Sequence, residues 1–125
     1  MSYLAITNLR KVLNVHLNKY HSLEERTKFV QKNLPKIEKV VDLCKKHKYY
    51  HSLEVICSLM GQYFESIKEW EKAIKFYLTS SSWFHKLKAK RIAKKYGINL
   101  KEGKKGNVQV TTLYGLHRWK SFYAS

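Results

Sequence analysis

The sequence predicts an all-α protein of about six helices stacked as antiparallel hairpins, followed by a basic C-terminal arm. Two observations lead to this prediction. Apolar residues recur every three or four positions almost to residue 97, which is the spacing of one face of an α-helix. After that point the chain becomes polar and glycine-punctuated, as in KEGKKGN at 101–107. We therefore divide the 125 residues into a helical domain, 1–97, and an arm, 98–125.

Three helices are predicted in the first half of the chain. The first has an apolar stripe made of Ile6, Leu9, Leu13, Leu17 and Tyr20. Ser22, with Glu25 three residues later, forms a capping-box pair that begins a short second helix. Pro35 suits the first turn of a third helix, because that turn leaves its N–H groups unbonded. The core stripe of the third helix is Ile37, Val40, Val41 and Cys44.

Three more helices follow. Ser52 is the predicted cap of the fourth, whose apolar residues between Leu53 and Ile67 cover most of its circumference and predict packing on several sides. The fifth has an apolar side made of Trp70, Ala73, Ile74, Tyr77 and Leu78. The serine run 80–82 ends it. The sixth runs from about Trp83 to Tyr96 and closes at Gly97, with an apolar side made of Phe84, Leu87, Ile92, Ala93 and Tyr96.

The arm has two recognisable parts. Residues 108–116 (VQVTTLYGL) alternate in a β-like way, which is consistent with a short strand, an extended arm or an unfolded tail. Residues 117–123 (HRWKSFY) interleave aromatic side chains with cations.

Residues 54–82 carry small, aromatic and aliphatic residues at fixed positions on two predicted helices. The residues concerned are Cys57, Met60, Gly61, Phe64, Trp70, Ala73, Ile74 and Tyr77. This pattern resembles the tetratricopeptide repeat (TPR), a helix–turn–helix unit of about 34 residues. The resemblance implies that Gly61 and Ala73 face each other where two helices cross closely, with Phe64 and Tyr77 filling the space around the crossing.

The resemblance is confined to one repeat. One period forward from Gly61 stands Lys95, and one period back stands Thr27, so neither neighbour keeps the small residue. We therefore expect one TPR-like unit inside an irregular stack of hairpins. An ordinary antiparallel helical bundle is the alternative.

The charge is strongly positive and unevenly distributed. The chain has 25 Lys and Arg against 9 Asp and Glu, a net charge of +16. Residues 86–125 hold 11 of these cations and a single anion, Glu102. Such a balance favours a polyanionic partner, most often nucleic acid. The alternative is a basic surface that serves solubility or reflects a lysine-rich proteome.

The predicted binding residues combine cations, which contact phosphates, with aromatics that stack on unpaired bases at about 1–3 kcal/mol per base. They are Lys86, Lys88, Lys90, Arg91, Lys94, Lys95, Lys101, Lys104, Lys105, Arg118, Trp119 and Lys120. The alternative for Trp119, Phe122 and Tyr123 is that they fold back onto the helical core.

Catalytic and metal chemistry are not predicted. A zinc site could be imagined from Cys44, His47, His51 and Cys57, but their spacing matches no common structural site. No nucleophile–base pair, P-loop or dinucleotide motif is present, so we expect no enzyme activity and no cofactor. A metal-free nuclease that uses His85 or His117 is the alternative, because such chemistry leaves no local signature.

The expected location is the cytoplasm. Two cysteines cannot form a disulfide framework, and no apolar run approaches the ~20 residues of a membrane span. Residues 1–20 lack acids and also resemble an organellar transit peptide, which is the alternative.

The sequence thus predicts a non-enzymatic helical protein that docks on nucleic acid, RNA or single strands above all, or on a ribonucleoprotein surface. The second hypothesis is a TPR-like adaptor or inhibitor that captures an acidic protein surface. No membrane partner is expected. A homodimer is consistent with the broad apolar coverage of residues 53–67.

Overall fold

A computed structural model describes residues 3–18, 20–102 and 108–112, of which 101–102 and 108–112 are described by their backbone. The helices are α1 (Tyr3–His16), α2 (Leu23–His47), α3 (Tyr50–Ser66), α4 (Trp70–Thr79) and α5 (Trp83–Tyr96). Two strands follow, β1 (Ile98–Glu102) and β2 (Val108–Thr112). The helical class predicted for residues 1–97 is confirmed.

Helix α1 buries the predicted stripe except at its end. The buried residues are Ile6, Leu9, Leu13 and Leu17. Tyr20 is 86% exposed, because α1 ends at His16 and the helical spacing no longer applies beyond it. The predicted cap of the next helix is confirmed, since the Ser22 hydroxyl accepts a hydrogen bond from the Glu25 N–H at 3.1 Å.

Helix α2 is continuous, so the predicted break at Pro35 is wrong and the described residues form five helices, not six. Pro35 lies inside the helix, where it removes one hydrogen bond at a cost of about 3 kcal/mol. Both Pro35 and Gln31, the residue whose carbonyl loses that bond, are exposed. The buried stripe from Val30 to Cys44 runs past the proline and offsets its cost.

Helix α3 begins at Tyr50, two residues before the predicted cap, and Ser52 is buried inside it. The turn that precedes it is short, because Lys48 adopts a left-handed conformation (φ 61°) that ends α2. The predicted central position of this helix is confirmed: α3 packs against α1, α2 and α4.

Helices α3 and α4 form a hairpin in which Tyr77 lies against Gly61. A Cβ atom at Gly61 would stand 2.8 Å from Cδ1 of the Tyr77 ring and closer still to its neighbours. Only glycine fits there, because real Cβ atoms do not approach other atoms so closely. The atoms nearest to this position thus belong to the Tyr77 ring. Ala73 and Phe64 are buried in the same core.

Tyr77 also joins the hairpin to α5. Its hydroxyl donates a hydrogen bond to the Glu65 carboxylate at 2.6 Å. Lys88 on α5 pairs with the same Glu65 oxygen at 3.4 Å, and its Nζ lies 4.9 Å from the centre of the Tyr77 ring. Burial, and then the hydrogen bond to Glu65, raise the pKa of Tyr77. Tyr77, which belongs to α4, therefore contacts both α3 and α5.

A short β-hairpin follows α5. Gly97 ends α5 in a left-handed conformation (φ 68°), as predicted. Strand β1 then packs on α5 and pairs antiparallel with β2, with Ile98 opposite Thr112. Of the three structures that the sequence left open for 108–116, residues 108–112 form a strand. Residues 113–125 lie outside the described part of the chain.

The contact between Gly61 and Tyr77 gives the first testable prediction. We expect Gly61→Ala to lower the free energy of unfolding by about 1–3 kcal/mol, because overpacking outweighs the gain in helix propensity. Urea denaturation followed by circular dichroism measures the change. Combined with Tyr77→Leu, Gly61→Ala should cost less than it does alone. Equal costs in both backgrounds would contradict the proposed contact.

Candidate functional site

The inner side of α5 is set by four buried residues at helical spacing: His85, Ala89, Ile92 and Ala93. This corrects the predicted apolar side, because Phe84 and Leu87 are exposed. The two residues point away from the core since each helical position turns the side chain by about 100°. At this angle per residue, Phe84, Leu87, Ile92 and Ala93 are spread around most of the helix, so they cannot form one narrow stripe.

The opposite side of α5 exposes both aromatic and cationic side chains. Trp83 is 73% exposed, Phe84 69% and Leu87 39%. One to two turns further along the same side come the exposed cations. We define the α5 outer face as Trp83, Phe84, Leu87, Lys90, Arg91 and Lys94. Within the described residues it contains no acid.

The predicted binding residues separate into four groups. Four are exposed on α5: Lys90, Arg91, Lys94 and Lys95. Two are half-buried and engaged within the fold, Lys88 with Glu65 and Tyr77, and Lys86 with its own partner. Lys101 lies in β1 opposite Gln109. Outside the described residues lie Lys104, Lys105, Arg118, Trp119 and Lys120.

A groove of about 530 Å³ runs beside the α5 outer face, between α5 and the turn that joins α3 to α4. We call it the α3–α5 groove. Trp70 and Tyr96 line it and stack on each other with ring centres 3.9 Å apart and planes at 10°. Arg91 and Lys95 line the α5 side, and the Lys95 ammonium lies 5.4 Å from the centre of the Tyr96 ring.

His85 is fixed by a buried hydrogen bond. The Ser80 hydroxyl donates to the Tyr77 carbonyl at 3.0 Å, so it accepts from Nδ1 of His85 at 2.6 Å. These two bonds tie the His85 ring to the end of α4. His85 also lines a cavity of about 270 Å³ together with His51 and Glu54.

The candidate zinc ligands do not form a metal site. Cys44 and Cys57 are buried free thiols, whereas His47 and His51 are exposed. Burial raises the pKa of Cys44 to about 11 and also raises the pKa of Cys57. Across residues 3–18, 20–102 and 108–112, no group of three or more His, Cys, Asp or Glu could hold a metal ion.

The sequence prediction missed the exposed aromatic end of the α5 outer face. The sequence predicts that the helix begins at Trp83 and that Phe84 lies on its apolar side. The informative signal is that Trp83, Phe84 and Leu87 cluster around one direction of the helix, whereas Ala89, Ile92 and Ala93 cluster around another. When a short surface helix has apolar clusters on two sides, only one of these clusters can face the core, so the other is exposed.

The chain shows no significant match to any family model, curated protein or solved structure. Among the described residues, no helix is long and apolar enough to span a membrane.

The buried His85 gives a prediction for pH dependence. Burial lowers the pKa of His85 below its ordinary value of 6.5, and the nearby Lys88 also lowers it, while Glu54 acts in the opposite direction. The unfolded chain therefore binds a proton at His85 more readily than the folded one. Stability from this group is present above pH 6.5 and is lost as the pH falls from there through the lower pKa of the folded state.

We expect His85→Asn, whose amide can still donate to Ser80, to reduce the loss of stability between neutral pH and about pH 5. Denaturation midpoints measured at both pH values test this. An unchanged pH dependence in the variant would show that His85 does not titrate differently in the two states.

Proposed function

We propose that this protein binds single-stranded nucleic acid, RNA above all, through the α5 outer face. The observation that supports it is the acid-free surface on which Trp83, Phe84 and Leu87 adjoin exposed cations. Cations contact phosphates of any sequence, and exposed aromatic rings stack on unpaired bases. A surface of this composition suits a strand whose bases are free.

Single strands fit better than a duplex for a physical reason. In a duplex the bases are stacked on each other, so exposed indole and phenyl rings have no base face to contact. Single-strand binding proteins combine a basic track with aromatic platforms, and the α5 outer face has both within one helix. A ribonucleoprotein that presents single-stranded RNA would offer the same chemistry.

The rest of the helical domain serves as the scaffold. The α3–α4 hairpin is a TPR-like unit, supported by the close approach of Gly61 to Tyr77. Its role is to hold α5 with His85 and Ala89 inward and the cations outward. A binding function without catalysis requires only a scaffold that holds α5 in this orientation. The cytoplasm is the proposed location, which the two free, buried thiols support.

A protein–protein adaptor is the second candidate. The apolar end of the α5 outer face, followed by cations, is complementary to a helix that carries both apolar and acidic side chains. In that case an acidic partner segment would occupy the face and RNA would compete poorly.

The exposed cations give the third prediction. The test variant replaces four by Gln: Lys90, Arg91, Lys94 and Lys95. The matched control replaces four exposed lysines of α2: Lys32, Lys36, Lys39 and Lys46. We expect the test variant to lose about 0.7 units of salt slope per cation that contacts phosphate, so roughly 3 in total. Fluorescence anisotropy with labelled RNA across a salt series measures the slopes.

The control variant carries the same net charge as the test variant, so it separates a site from general attraction. It should keep most of the affinity and slope of the wild type. Equal losses in both variants would mean that binding depends on net charge alone. Saturable binding to an acidic peptide that RNA does not displace would favour the adaptor.

The exposed aromatics give the fourth prediction. Replacing Trp83 and Phe84 by Ala removes two stacking platforms, each worth about 1–3 kcal/mol per base. We expect weaker binding to single strands and little change for duplex DNA. Tyr20→Ala with Tyr50→Ala is the matched control, because both of these aromatics are exposed and neither belongs to α5. If the Trp83 and Phe84 variant lost no more affinity for single strands than the Tyr20 and Tyr50 variant, stacking on α5 would be excluded.

A further inference from the structure

The α3–α5 groove differs from the other described cavities in its combination of cations and stacked rings. Its volume of about 530 Å³ lies within the range of small-ligand pockets, roughly 300–1,000 Å³. Trp70 and Tyr96 form a parallel aromatic pair on its wall. Tyr96 is 39% exposed, so this pair is open to a ligand from the solvent.

The charges along the groove favour an anion near its α5 side. Arg91 and Lys95 lie one turn apart on α5, are exposed and line the groove. The one carboxylate in the groove belongs to Glu65, among the residues described. It is already engaged, because it accepts the Tyr77 hydroxyl and pairs with Lys88. Its charge is largely compensated within the fold.

The opposite wall of the groove offers hydrogen-bonding groups. Gln62 and Ser66 on α3 are exposed and line it. The Gln62 amide donates to Ser58 at 3.1 Å, and the Ser66 hydroxyl donates to the Gln62 carbonyl at 2.8 Å. These exposed bonds can exchange for bonds to a ligand at little cost. Amide and hydroxyl groups suit the polar edge of a nucleobase.

We infer that the α3–α5 groove is a nucleotide subsite: one base of a bound single strand packs against the Trp70–Tyr96 pair while its phosphate contacts Arg91 and Lys95. This inference rests on the proposed function and adds where one nucleotide is held. Arg91 belongs to both the groove and the α5 outer face, so the strand passes from one to the other without leaving the cations.

Site-directed crosslinking tests the subsite. The probe is an oligouridylate of about ten nucleotides with 5-iodouridine substitutions, within the site sizes of single-strand binders. It is bound to the full chain, irradiated and digested, and the crosslinked peptides are identified by mass spectrometry. We expect crosslinks on Tyr96 or Trp70 in addition to Trp83 or Phe84.

Two variants measure the contribution of the groove to affinity. Tyr96→Leu removes the exposed ring and should weaken binding of the same probe roughly 5- to 100-fold. Because Tyr96 also packs on Trp70, a second test leaves the rings in place. Ser66→Glu puts a negative charge in the groove and should weaken binding. Ser66→Gln, whose side chain has the shape of Glu without its charge, should not.

The outcomes separate the subsite from the proposed function. Crosslinks confined to Trp83 and Phe84, with Ser66→Glu binding as tightly as Ser66→Gln, would overturn the subsite and leave the α5 outer face as the site. Failure of the wild type to bind the probe would overturn both. Crosslinks on Tyr96 that disappear with Ser66→Glu would support the subsite.

Discussion

The close contact between the Tyr77 ring and the bare backbone of Gly61 determines how the central helices are arranged. With no Cβ at Gly61, α4 can place a large ring directly on α3. The ring is held there by its hydrogen bond to Glu65, which stands one turn further along α3. A larger residue at position 61 would push the ring away and would displace the hydroxyl from that carboxylate.

The orientation of α5 depends on the same tyrosine. Lys88 contacts both the Tyr77 ring and the Glu65 carboxylate, and His85, one turn earlier, reaches Ser80 at the end of α4. These two contacts fix the rotation of α5 about its axis. They direct Ala89 and Ile92 inward and leave four cations exposed: Lys90, Arg91, Lys94 and Lys95. The proposed binding surface is therefore a consequence of the Lys88–Tyr77 contact together with the His85–Ser80 hydrogen bond.

Lysines of one short helix thus have different roles. Lys88 is an internal contact whose charge is compensated by Glu65. Lys90 and Lys94 are exposed beside other cations, where like charges at a spacing of four residues destabilise an isolated helix. A polyanionic partner would relieve this repulsion, which is why the exposed cations, and not all cations of α5, form the proposed site.

Much of the fold follows from the sequence, because the helical spacing and the capping residues are local signals. The cap at Ser22 and the left-handed Gly97 are local in this sense. The sequence predicts a helix start at Pro35 because local rules cannot weigh the cost of a proline against a buried stripe that packs on other helices. The outward position of Phe84 also depends on tertiary contacts, since the apolar residues of α5 allow two orientations and Tyr77 selects one.

The candidate site could be predicted in composition but not in geometry. Counting charges identifies the cations of α5, yet nothing in the sequence separates Lys88 from Lys90. The α3–α5 groove was not predicted at all, because Trp70 and Tyr96 are 26 positions apart and meet only in the folded chain. Such contacts between distant residues require the structure.

Mapping of a bound single-stranded RNA by NMR tests the central claim most directly. Backbone amide shifts of the labelled full chain would be followed during titration with an unmodified oligouridylate. The account predicts that the perturbed amides cluster on α5 between Trp83 and Tyr96 and reach the neighbouring turn around Trp70. Perturbations centred on α2, or scattered over all lysine-bearing surfaces, would contradict it.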